Sequence, residues 1–117
     1  MLAENGENMN AVKKEFDTGP LTGIRIVDFT SVQMGPYATM ILADLGADII
    51  KIESPQGDTS RQTSPYVNKG MGHTFLNINR NKRSVALNLK HSEGRAVLLE
   101  ISRNADVFVY NMRPQAM

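Results

Sequence analysis

The densest concentration of potential chemistry in this 117-residue sequence is Asn79-Arg80-Asn81-Lys82-Arg83-Ser84. Three cations within four positions, flanked by amides and a hydroxyl, suit phosphate recognition through charge-assisted hydrogen bonds. A short basic run also serves as a solvated loop, and the residues alone leave both readings open. Single-stranded nucleic acid would call for interleaved aromatic side chains, and this stretch has none. Small-molecule phosphate is therefore the functional reading. Arg61, after Gly57-Asp58-Thr59-Ser60, and Arg113 are further candidate anion contacts.

A second candidate is Thr30-Ser31-Val32-Gln33-Met34-Gly35-Pro36, which leads from an apolar run into a helix start able to hold an anion. Gln33 offers both a donor and an acceptor and can orient a carbonyl or carboxylate. The plainer reading of Thr30 and Ser31 is that they cap and turn the chain. Glu53 ends another apolar run, about where a dinucleotide fold places its ribose-binding acid. The preceding loop has Gly35 without the rest of a G-x-G-x-x-G pattern, so the backbone lacks the close approach a pyrophosphate needs. Glu53 is therefore expected to be a strand-end charge. Asp28, inside the first apolar run, is expected to hold nearby loops by accepting hydrogen bonds. His73 and His91 are expected to be surface or structural residues.

Composition narrows the field. Thirteen Lys+Arg against 12 Asp+Glu give a formal net charge of +1, which argues against a protein built to coat nucleic acid or an anionic membrane. The absence of cysteine excludes disulfides, thiolate zinc sites, iron–sulfur clusters and a Cys nucleophile. Two histidines count against a multi-histidine metal centre, and no metal is expected. No run approaches the ~20 apolar residues that cross a bilayer. Residues 1–19 match neither a signal peptide nor a mitochondrial presequence, so a cytoplasmic enzyme is expected.

The elements that must position these residues follow from periodicity. Residues 1–19 predict a flexible tail, and one truncated domain is expected over residues 20–117. Ile24, Ile26, Val27 and Phe29 predict a buried strand. Pro36 suits a first helical turn, and Tyr37, Met40, Ile41 and Leu45 mark its apolar face, with Gly46 as a left-handed terminator. Ile49, Ile50 and Ile52 predict a second buried strand, hence a strand–helix–strand unit on a parallel sheet. Residues 54–72 predict a long loop, functional by its length. Residues 74–78 are ambiguous between helix and strand. Val85, Leu87 and Leu89 alternate as a strand over residues 84–89. Ser92 is expected to cap a helix over residues 93–104, with Val97, Leu98 and Ile101 facing the sheet. Residues 106–110 predict a last strand. The fold class is α/β, a Rossmann-like parallel sheet with flanking helices.

Taken in order, these pieces resemble the class III CoA-transferases. Gly19-Pro20-Leu21-Thr22-Gly23-Ile24-Arg25-Ile26-Val27-Asp28 resembles the family's opening strand. Gly35-Pro36-Tyr37-Ala38, followed by Leu42-Ala43-Asp44-Leu45-Gly46-Ala47-Asp48-Ile49-Ile50-Lys51-Ile52-Glu53, is similar to its first helix and second strand. Asn79-Arg80-Asn81-Lys82-Arg83-Ser84, Glu93-Gly94-Arg95, Ala105-Asp106-Val107 and Asn111-Met112-Arg113-Pro114 follow in the family's order. Each motif is modest, whereas the ordered set is specific.

The resemblance implies an enzyme that moves CoA from an acyl-CoA to a free carboxylic acid through an aspartyl-CoA intermediate. The nucleophilic Asp is expected beyond residue 117, making the chain an N-terminal segment that is inactive by itself. Asp28, Asp44, Asp48, Asp58 and Asp106 do not match it. Gln33 matches an active-site glutamine beside the reacting carboxylate, flanked by Val32 and Met34. Leu87 and Lys90 match positions along the CoA nucleotide; Asn111, Met112 and Ala116 match positions near the pantetheine. Arg61, Lys82, Arg83 and Arg113 complete the expected CoA contacts. Ser54 falls where formyl-CoA transferases carry a CoA-binding Arg, and Met112 where they carry Phe, which counts against formyl-CoA and oxalate specificity. CoA enters as a substrate, with no permanently bound cofactor, and the full-length enzyme is expected to be an intertwined homodimer. The alternatives are the α-methylacyl-CoA racemase branch of the same superfamily, which Gln33 disfavours, and a non-catalytic CoA- or nucleotide-binding module.

Overall fold

The structure, a computed structural model, describes residues 18–117; all but the last two residues of the expected tail lie outside the described residues. Its elements are β1 (Arg25–Phe29), α1 (Met34–Asp44), β2 (Asp48–Glu53), α2 (His73–Ile78), β3 (Lys82–Ala86), α3 (Ser92–Arg103) and β4 (Val107–Tyr110). Short 3-10 turns cover Thr59–Gln62 and Pro114–Ala116. The strands form one sheet in the order β3-β2-β1-β4, and every pairing is parallel. The α/β parallel sheet with flanking helices expected from the sequence is therefore what forms. No helix among the described residues is long and apolar enough to cross a membrane.

The two central strands bury both faces, which is why they read as near-continuous β-branched runs. Strand alternation splits them into two cores. Ile26 and Ile49 pack with Ala43 and Ala47 on the α1 side. Val27, Ile50 and Ile52 gather Val85, Leu98, Ile101 and Phe108 on the α3 side. Further along the α1 side, the same alternation puts Asp28, Lys51 and Glu53 where an apolar core would continue, and all three are buried.

That charged stretch explains how α1 packs. The expected face was Tyr37, Met40, Ile41 and Leu45. Met40 is buried as expected, but with Pro36, Thr39 and Ala43, while Tyr37, Ile41 and Leu45 are exposed. Small residues let the helix lie close to the sheet, and the Thr39 hydroxyl donates to Asp28, a partner that a larger apolar residue would not supply. Gly46 ends the helix at φ 100°, as expected, in a region that costs glycine little.

Other boundaries shift. β3 begins at Lys82, so the second half of the basic run is strand and residues 87–89 lie beyond its end. Residues 74–78 are helical, within α2. Ser92 is the first residue of α3 rather than its cap; His91 takes that place without a side-chain bond. Val97 is exposed, leaving Leu98 and Ile101 to face the sheet.

Candidate functional site

All four strands run in the same direction, so their carboxyl ends share one edge, where ligands bind in open α/β sheets. A cleft of about 560 Å³ opens there between the loop after β1, the loop after β2 and the segment after β3. Phe29, Ile52, Pro55, Leu87, Leu89 and Met112 give it an apolar wall, and Lys90 stands in its lining. The Lys90 side chain is exposed and makes no ion pair among the described residues.

Three ion pairs on the α1 side of the sheet form the frame beneath this edge. Lys82 Nζ lies 3.0 Å from Asp28, Lys51 Nζ 2.9 Å from Asp58, and Arg61 2.6 Å from Glu53. Each acid also fastens a loop. Asp28 accepts from the Thr30 N–H and hydroxyl at the end of β1. Glu53 accepts from the Asp58 N–H at 2.8 Å and the Ser84 hydroxyl at 2.6 Å. Asp58 accepts from the Ser60 N–H and hydroxyl and from the Val32 N–H. Lys51 donates to the Thr30 carbonyl at 2.8 Å.

Burial alone would push these carboxyls upward. For Glu53, burial is outweighed by the hydrogen bonds from Arg61, Ser84 and the Asp58 backbone, and its pKa falls to about 2. Burial at Asp28 is likewise overcome by Thr30, Thr39 and Lys82, leaving its carboxyl below the usual range. Asp58 is held low against its burial by Ser60 and Lys51. Burial pushes Lys82 down, and the Asp28 charge opposes that only in part.

Of the sequence candidates, Val32, Leu87, Lys90 and Met112 come together in the cleft lining. Gln33 follows Val32 directly; it is exposed, stands at the N-terminus of α1, and makes no side-chain capping bond. Met34, in the first turn of α1, is also exposed. Asn111 clamps the loop after β1, accepting from the Ser31 N–H at 3.1 Å and donating to the Ser31 carbonyl at 3.0 Å. Arg113 is exposed beside the final turn, and Ala116 lies within that turn.

The basic run divides, and here the structure departs from the phosphate expectation. The Lys82 ammonium is buried and donates to Asp28, Thr39, Asn79 and the Pro36 carbonyl, so it has no donor left for a ligand. Arg83 pairs with Asp48 at the opposite edge of the sheet, because parallel pairing puts the start of β3 beside the start of β2. Arg80 pairs with Asp44. Arg61 is a loop strut, fixed by Glu53 and stacked 3.6 Å over Phe75.

Sequence reasoning passed over Lys51 and Asp58, although Gly57-Asp58-Thr59-Ser60 carries the pattern of an Asx turn. It also passed over Arg95, which donates to the Leu89 and Lys90 carbonyls and so fixes the cleft wall.

Comparison with known proteins places this geometry in context. Residues 21–117 match the family model described as CoA-transferase family III. The succinyl-CoA:mesaconate CoA-transferase of Haloarcula marismortui is 44% identical over 103 residues, 85% of this chain and 26% of that protein. The formyl-CoA:oxalate CoA-transferase of Streptomyces avermitilis is 44% identical over 100 residues, 86% of this chain and 24% of that one. A crystal structure of a CAIB/BAIF family protein from Brucella suis superposes with a TM-score of 0.79 at 33% identity, covering 84% of this chain and 27% of that one. The chain thus spans about a quarter of the length of the relatives it matches.

Proposed function

The chain belongs to CoA-transferase family III, and from that premise we propose that it forms the CoA-binding wall of an enzyme that moves CoA from an acyl-CoA to a free carboxylic acid. The observation that carries this reading is the cleft at the carboxyl edge, apolar along one wall and with an unpaired Lys90 in its lining. An apolar wall suits the pantetheine arm, and an exposed ammonium suits a phosphate.

The chemistry proposed is covalent. An Asp carboxylate attacks the thioester carbonyl and expels the CoA thiolate, leaving a mixed anhydride. The thiolate then attacks the aspartyl carbonyl, giving aspartyl-CoA and releasing the first acid. The acceptor carboxylate repeats the sequence in reverse. None of the aspartates in the described residues suits the attack. Asp28 and Asp58 are buried and ion-paired. Asp44 and Asp48 pair with arginines, and Asp106 accepts from the Arg25 N–H. The resemblance to the class III CoA-transferases implies a nucleophilic Asp in a part of the longer enzyme outside this chain, and we assign Gln33 to orienting the reacting carboxyl.

The acceptor is left open between small dicarboxylic acids, since mesaconate and oxalate both appear in the names of similar transferases. The homodimer implied by the resemblance and the cytoplasmic setting expected from residues 1–19 belong to this proposal; Tyr37, Ile41 and Leu45, exposed on α1, supply apolar surface for further packing.

Two measurements test it. Calorimetric titration of CoA into the protein should give saturable binding that weakens several-fold in Lys90→Ala, the loss of one exposed phosphate contact. In the enzyme carrying this segment, Gln33→Ala should lower kcat by about a hundredfold, as removal of a transition-state hydrogen bond does. The KM for acyl-CoA should stay within about twofold, because uniform binding is untouched. Absence of CoA binding would overturn the reading; an unchanged kcat would remove Gln33 from the site.

A further inference from the structure

Val32 has φ 72°. The other non-glycine residue with positive φ among those described is Asn81, for which the left-handed region is commonplace. For a β-branched residue it is a steric outlier, and such a conformation persists only where its surroundings enforce it. Here they do, residue by residue. The Thr30 carbonyl accepts from Lys51 at 2.8 Å, and Ser31 is clamped on both sides of its peptide by Asn111. The Val32 N–H donates to both Asp58 oxygens at 3.2 and 3.3 Å, and the Gln33 carbonyl accepts from the Tyr37 N–H at 2.8 Å. The Val32 side chain itself is 52% exposed, so packing of that side chain does not hold the turn.

Asp58 reaches Val32 from the loop after β2, and it is fixed by Lys51; both side chains are 1% exposed. A lone buried carboxylate or ammonium would be strongly unfavourable, so the two stand or fall together.

We propose that the buried Lys51–Asp58 pair is a positioning device for the cleft: it holds Val32 left-handed and thereby fixes where Gln33 leaves the loop after β1. Both side chains are 1% exposed, so they act through the loop after β1. The purpose given to the device rests on the CoA-transfer reading, whereas the geometry stands without it. If the pair relaxed, Val32 would fall back to negative φ, and the next peptide, with Gln33, would rotate out of its present position.

The test replaces the pair by apolar residues of similar volume, Lys51→Met with Asp58→Leu, which leaves no unpaired buried charge. Nuclear magnetic resonance of the full chain then reads the strong intraresidue Hα–HN cross-peak that positive φ produces at position 32. Calorimetry of the same samples reads CoA affinity. The expected result is a weakening of the cross-peak to the intensity of neighbouring residues with negative φ and an affinity drop of about tenfold, the effect of one lost hydrogen bond to a charged acceptor. The Val27 and Ile49 amides should stay protected from exchange.

In a Val32→Gly background the same double replacement should cost only about twofold in affinity relative to Val32→Gly alone, because glycine takes positive φ without strain. A merely structural pair would lower core protection together with affinity, and glycine would rescue neither. Undiminished cross-peak intensity in the double variant, or no rescue, overturns the proposal. Should the double variant fail to fold, Asp58→Asn decides: exchange at the Val32 amide should rise about tenfold, and an unchanged rate overturns. If the unmodified protein binds no CoA, the proposed function fails while the cross-peak still decides this inference.

Discussion

Removing the Lys82 ammonium would leave the Asp28 carboxylate buried with one cationic partner fewer, and this separates a structural cation from a ligand-binding one. Lys82→Met should destabilise the protein by about 3–5 kcal/mol in urea unfolding, the cost of breaking one side of a buried ion pair. Its CoA affinity should stay unchanged while the protein remains folded. Exposed Arg83 should behave oppositely in scale, Arg83→Ala costing about 1 kcal/mol or less. The three cations of residues 80–83 look alike in sequence. Only the register of β3 against β2 decides that one points inward and its neighbour outward, and register is a tertiary property. Glu53 adds a pH signature. Its carboxyl is depressed to about 2 from an ordinary 4.5, so its stabilisation is complete above about pH 4.5 and is lost as pH falls toward 2. Glu53→Gln should therefore flatten the acid limb of the stability curve by up to about 3 kcal/mol, read by denaturant titrations between pH 5 and pH 2.

At the scale of elements, β1 and β2 were legible because strands buried on both faces concentrate Ile and Val, and a central parallel pair leaves little room for alternatives. α1 was legible in its extent and not in its rotation. Its apolar spacing marked Tyr37, Met40, Ile41 and Leu45 as the inner face and Met40 does turn inward, yet the sheet opposite carries Asp28 and Lys51, and a helix facing charges turns its threonine inward as well. The turn into this helix depends on a close approach. A Cβ on Gly35 would stand 2.4 Å from the Thr30 Cβ, and Thr30 is itself buried against Asp28. Gly35→Ala should therefore cost about 1–3 kcal/mol by overpacking and lower the thermal midpoint by several degrees, with CoA affinity falling as the β1–α1 loop shifts. A wild-type midpoint would show that the helix start can move freely. The candidate site was legible in part. Leu87, Lys90 and Met112 were named through the resemblance to the class III CoA-transferases, and they line the cleft from the segments after β3 and β4. The contacts from Asp58 to Val32 and from Asn111 to Ser31 join residues 26 and 80 positions apart, which no local pattern announces.

Across the whole molecule, the sheet is polarised along its strands on the α1 side: Ile26 and Ile49 lie toward one end, and Asp28, Lys51 and Glu53 toward the end that bears the cleft. The ion pairs fasten the loops after β1 and β2 to that end, whereas the cleft wall is made differently. Pro55, Leu89 and Met112 contribute apolar surface without belonging to any of the ion-pair networks, and the Ser54 hydroxyl makes a long 3.5 Å contact to the Gly57 carbonyl. This division has an evolutionary consequence. Single replacements at Ser54, Pro55, Leu89 or Met112 can reshape what the cleft accepts without disturbing the charges beneath it. A change at Lys51, Asp58 or Glu53, by contrast, strips a buried charge of its partner and is tolerated best when a second mutation compensates it. Diversification of such a scaffold toward new ligands should therefore proceed through its wall, one residue at a time, over a floor that favours paired change.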